Sequence, residues 1–128
     1  MKEPIWLSAD LVIAIHDEQL RIFGGPEGLR DPGALESALG RAQNRFHYDE
    51  GDLAALAAAY AFGIANNHAF VDGNKRTAFL AIITFLGLNG IDFDVPEPEA
   101  VIIMLEVAAG EIVEGGLTLW ITDNPTDG

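Results

Sequence analysis

The sequence has no cysteine. Disulfides and thiolate metal sites are excluded, and a reducing compartment is the natural reading. Basic residues are also scarce, seven against twenty acids, for a formal net charge of −13. That balance repels nucleic acid and anionic membranes, so neither is expected as a partner. No apolar run approaches the roughly 20 residues of a membrane span. The opening stretch MKEPIWLSAD lacks the basic start and apolar core of a signal peptide, which makes the cytoplasm the expected location. There is no βαβ alternation, internal repeat or low-complexity tract.

What is present is a composition that folds. The 128 residues are 49% hydrophobic, the size of one domain burying a single core, so residues 1–128 are read as one unit. Helical signals run through nearly all of it. SADLVIAIHDEQLRIFGG offers Ser8 as N-cap, apolar residues at helical spacing (Leu11, Ile15, Leu20, Phe23), and Gly24–Gly25 as the stop. In RDPGALESALGRAQ, Asp31 caps a helix with Pro32 in its first position. DLAALAAAYAFGIANN and NKRTAFLAIITFLGLNG are apolar nearly all round, as helices at the centre of a bundle are. A further helix starts near Glu97, and GGLTLWITDN makes a short last one. The polar and aromatic stretch RFHYDEGD, residues 45–52, reads as a loop or a small β-hairpin between helices. The acids of DFDVPEPE lack the spacing and closing glutamate of a calcium loop and read as a solvated loop. His16, beside Asp17 and Glu18, reads as a surface residue. The fold class is all-α, a single helical bundle.

Two of the seven bases, Lys75 and Arg76, are adjacent within HAFVDGNKRTAF, residues 68–79, between the two most apolar helices. A helix N-terminus offers unpaired N–H groups and partial positive charge, which together bind anions. Gly73 permits a positive φ or a close approach to ligand. Asn74 can cap the following helix, and Phe70 anchors the loop in the core. Lys75 and Arg76 oppose the helix dipole unless something negative sits there. A histidine such as His68 can take a proton from an attacking hydroxyl at neutral pH. Asp72 is a hard oxygen ligand of the kind that holds Mg²⁺ together with phosphate oxygens, or else a cap for the next helix. Base, metal ligand, glycine turn, helix start and two cations make a coherent phosphate-transfer site.

HAFVDGNKR resembles the signature of the Fic/Doc superfamily, closest to its death-on-curing (Doc) branch. Fic enzymes read roughly H-P-F-x-[D/E]-G-N-G-R-x-x-R, and Doc toxins H-x-F-x-D-A-N-K-R. Lys75 in place of the Fic glycine and Phe79 in place of the second Fic arginine both point to Doc, whereas Gly73 follows the Fic form. GLRDPGALESAL and DLAALAAAYAFGIANN also look like family helices. The resemblance implies a Fic/Doc helical fold and transfer from ATP to a protein hydroxyl: AMP in Fic enzymes, the γ-phosphate in Doc. It makes His68 the base, with Lys75 and Arg76 assisting catalysis, and Asp72 the Mg²⁺ ligand. Gly73, Asn74, Lys75 and Arg76 become the phosphate cradle. Phe46, His47 and Tyr48 would lie on a flap that docks the target by strand addition, a plain loop being the alternative. The implied target is elongation factor Tu, and the implied partner a Phd-like antitoxin. The inhibitory pattern [S/T]-x-x-x-E-[G/N] of many Fic proteins has no match, so control by a separate chain is expected. A binding module that has kept the fold without the chemistry remains open beside the enzyme.

Overall fold

The computed structural model describes residues 3–26, 28–48 and 51–123. Among these there are six helices: α1 (Ala9–Phe23), α2 (Pro32–His47), α3 (Leu53–Asn67), α4 (Asn74–Leu88), α5 (Glu97–Ala108) and α6 (Glu114–Asp123). The all-α class expected from the sequence holds. An isolated antiparallel bridge pairs Leu29 with Phe70.

Local chemistry starts the first helices. Ser8 accepts the N–H of Leu11, and Asp31 accepts that of Ala34 ahead of Pro32. Asp52 does the same for Ala54 at the head of α3. α3 is the central element, packed on α2, α4, α5 and α6. Four of its alanines, Ala57, Ala58, Ala59 and Ala61, are fully buried and let neighbouring helices come close. Closest is the crossing at Gly63, where an added Cβ would lie 2.9 Å from the Cα of Ala38. α1 leans chiefly on α4, and α5 covers the other flank of α4.

Two elements differ from the sequence reading. α2 runs on through Phe46 and His47, with Tyr48 as its C-cap, so the expected loop or β-hairpin is not formed there. Asp49 and Glu50 of that stretch lie outside the described residues, as does Asn124 of the last helix. The cause of the extra turn is tertiary. Glu114, nearly buried at the start of α6, pairs with both Arg41 and Arg45 of α2, and Phe46 packs edge-on against Trp6 at 5.5 Å. The second difference is α1, whose buried residues are Val12, His16 and Gln19. His16 is 1% exposed, not a surface residue.

The segment before α1 is latched to the core. The Ile5 backbone exchanges two hydrogen bonds with the Asn89 side chain, at 2.8 and 3.1 Å. The N–H of Leu7 donates to Tyr60 Oη at 3.1 Å. Tyr60 is fully buried, and burial pushes its phenol up to about 12, although the Leu7 hydrogen bond pulls the other way. A free tyrosine titrates near 10. Between those values the folded protein keeps a proton that the unfolded chain has lost. The contribution is therefore complete below pH 10 and disappears as pH rises towards 12. At roughly 1.4 kcal/mol per unit, about 2–3 kcal/mol is at stake. Tyr60→Phe is expected to lower stability at pH 7 by about 1 kcal/mol, through the unpaired Leu7 N–H. It should also remove this part of the alkaline decline. Urea unfolding of both proteins at pH 7, 10 and 11.5 measures it; parallel pH curves would contradict the assignment.

Candidate active site

The motif occupies the short connection from α3 to α4. α3 ends at Asn67, and His68 takes a left-handed conformation, φ 52° and ψ 46°. It is the sole non-glycine residue with positive φ among the described residues. Such a conformation persists only where the surroundings over-determine it. Here the stretch around Leu29 does so. Arg30 Nη2 donates to the His68 carbonyl at 2.8 Å. The N–H groups of Arg30 and Asp31 both donate to the Ala69 carbonyl, at 2.7 and 3.0 Å, and that of Val71 to the Gly28 carbonyl at 3.1 Å. Ala69 and Phe70 are buried, while the His68 side chain is exposed. Phe70 thus anchors the loop as the sequence reading expected.

Asn74 behaves differently from that reading. It is the first residue of α4, not its cap; Gly73, at φ 79°, is the N-cap, and no side chain caps this helix. The Asn74 amide is buried and turned back on the loop: Nδ2 donates to the Phe70 carbonyl at 2.9 Å and Oδ1 accepts the Phe70 N–H at 3.1 Å. What Asn74 can offer an anion is its backbone N–H. Asp72 does not cap the helix either. Its Oδ1 accepts the adjacent Gly73 N–H at 2.8 Å, short of the second- and third-residue N–H groups that a cap serves.

A cavity of about 370 Å³ opens over this loop. His68, Asp72, Gly73, Lys75, Arg76 and Phe79 line one side, and Glu97, Val101, Met104 and Leu105 of α5 the other. All the expected chemistry is therefore brought together except the stretch at Phe46, His47 and Tyr48, which is not part of the lining. The Arg76 guanidinium carbon lies 3.9 Å from the centroid of the Phe23 ring, a cation–π contact that steadies the charge at the end of α1.

The sequence reading missed two contributors. One is the α5 wall, whose apolar residues look like ordinary core. The other is His16. Its ring stacks on Phe70 with centroids 3.8 Å apart and planes 11° apart. Its Nε2 lies 2.6 Å from the Asp72 carbonyl oxygen, and its Nδ1 is 3.9 Å from Asp17 Oδ1. The spacing of Val12, His16 and Gln19 is a helical stripe that would have pointed inward, had polar residues been allowed a buried face.

Residues 6–86 match the model of the Fic/DOC family. The chain belongs to the Fic/Doc family. It is 40% identical over 108 residues to the protein kinase doc of Escherichia phage P1, covering 83% of this chain and 84% of that protein. It is 45% identical over 92 residues to Toxin Doc of Mycolicibacterium smegmatis, covering 67% and 69% respectively. The Fic/Doc match takes in α1 to α3 and α4 as far as Leu86, so the α5 wall of the cavity lies beyond it.

Proposed function

We propose that this protein is a Doc-like toxin that transfers the γ-phosphate of ATP to a hydroxyl of a protein target. The observation that carries the reading is the head of α4. Lys75 and Arg76 line the cavity shared with His68 and Asp72, and Phe79 lines it where a second arginine would serve an AMP-transferring arrangement. Two full charges at an uncapped helix start suit a terminal phosphate, on which charge develops during transfer. The name of the phage relative, a protein kinase, supports the same choice.

In this reading His68 takes the proton of the target hydroxyl as its oxygen forms a bond to the γ-phosphorus. The bond from that phosphorus to the bridging oxygen breaks, and ADP leaves. Lys75, Arg76 and the first N–H groups of α4 stabilise the charge on the transferred group. No cluster of three or more metal-binding side chains occurs among the described residues. An exposed carboxylate, Asp72, nevertheless fits Mg²⁺, which is commonly bound through one or two carboxylates and the phosphates of the substrate. When bound there, Mg²⁺ would neutralise phosphate charge. The 128 residues act as one domain, in the cytoplasm, on a target of the elongation factor Tu class. A Phd-like antitoxin silences it by laying an amphipathic helix along the groove. Val101, Ile102 and Leu105 of α5, 42, 57 and 51% exposed, offer that helix an apolar contact.

One residue favours the runner-up, AMP transfer: Gly73 keeps the Fic form and its φ of 79°. Incubation with target and ATP labelled at the α or the γ position decides between the two. Label from the γ position is expected in the target; label from the α position would overturn the reading. With neither transferred, the protein would be a binding module.

A further inference from the structure

His16 lies 56 positions before Asp72 in the chain, yet its ring nitrogen is 2.6 Å from the Asp72 carbonyl oxygen. A carbonyl only accepts, so Nε2 must carry the proton. The peptide joining Asp72 to Gly73 is planar and trans, so its C=O and N–H point in opposite directions. Its N–H is the group that donates to Asp72 Oδ1 at 2.8 Å. Holding the carbonyl therefore aims the N–H, and the N–H in turn holds the carboxylate. The restraint matters because Gly73 follows, and glycine lets a peptide plane turn at little cost. The stack on Phe70 fixes the imidazole, and Phe70 is itself tied to Asn74. On the far side, an added Cβ at Gly25 would lie 3.2 Å from Asp72 Oδ2, so the carboxylate is flanked there too.

We propose that His16 is a positioning residue: through the Asp72–Gly73 peptide it orients the Asp72 carboxylate toward the metal and phosphate that the cavity accepts. The inference rests on the phosphate-transfer reading above and extends it to a residue on α1. His16 touches neither nucleotide nor target.

Three variants test it. His16→Phe keeps the ring and its stacking but removes the donor. His16→Gln carries an amide nitrogen at about the reach of Nε2, and His16→Asn stops short of it. Calorimetry with Mg·ATP, and with ATP in EDTA, is expected to show His16→Phe and His16→Asn weakened about tenfold only when Mg²⁺ is present. His16→Gln should bind within about twofold to threefold of the wild type. In the metal-free protein, the Gly73 amide resonance should move in His16→Phe and return in His16→Gln. In transfer assays the loss should appear in KM for Mg·ATP more than in kcat. Equal weakening with and without Mg²⁺, or a His16→Gln no better than His16→Asn, would mean that His16 merely fills space. Should His16→Phe fail to fold, the Gln and Asn pair decides alone. Wild-type protein that binds no Mg·ATP would overturn the phosphate-transfer reading and this proposal with it; tight wild-type binding matched by every variant would overturn the proposal alone.

Discussion

Replacing His68 by alanine is expected to cut phosphate transfer by about 10²- to 10⁴-fold, the usual cost of removing a general base. The thermal midpoint should scarcely move, because the side chain is exposed and fills no core space. One feature of the backbone needs a control. Position 68 is left-handed, a conformation in which histidine and asparagine occur more readily than most residues. His68→Asn therefore keeps the local preference while removing the imidazole, and should be as inactive as His68→Ala. The measurements are transfer of γ-label to the target and growth of cells expressing each form at equal levels. Growth arrest by wild type and normal growth with both variants is the expected pattern. Arrest by either variant would remove His68 from the chemistry.

Asp72→Asn should weaken binding of Mg·ATP by at least the roughly 10- to 100-fold that loss of a metal-orienting group typically costs. The substitution is nearly isosteric, and the amide oxygen can still accept the Gly73 N–H that Asp72 Oδ1 now receives. The loop should keep its shape, and urea unfolding should be unchanged within about 0.5 kcal/mol, as for other exposed positions. Binding of ATP without Mg²⁺ should be unchanged or slightly tighter, since one negative charge has left the cavity. Calorimetry with and without the metal separates these outcomes. Equal affinity for Mg·ATP in both proteins would leave Asp72 as a loop-shaping residue only.

Both predictions concern side chains whose type and spacing were readable in twelve consecutive residues. Other parts of the site were not. Asn74 lies within the motif, but its amide is spent on Phe70, four positions earlier, where a helix cap had been expected. The aromatic stretch after Arg45 looked like a loop because it is polar and leads to Asp49, Glu50 and Gly51. Its first residues are helical, since Glu114 gathers Arg41 and Arg45 from far along the chain.

The sequence by itself determined where most helices begin, which are apolar all round, and which residues carry the Fic/Doc motif. Those properties depend on neighbours within about four positions: a cap and its N–H, a proline in the first turn, a glycine free to take positive φ. Only the tertiary structure decided that α2 extends to His47, that α5 walls the cavity, and that His16 faces inward. Each turns on a partner far away in the chain, as with the 56 positions between His16 and Asp72. Hydropathy places a histidine followed by two acids at the surface. A ring sandwiched on Phe70 and bonded to a carbonyl has regained inside what it lost on leaving water, so burial became favourable once α1 had docked on the motif loop.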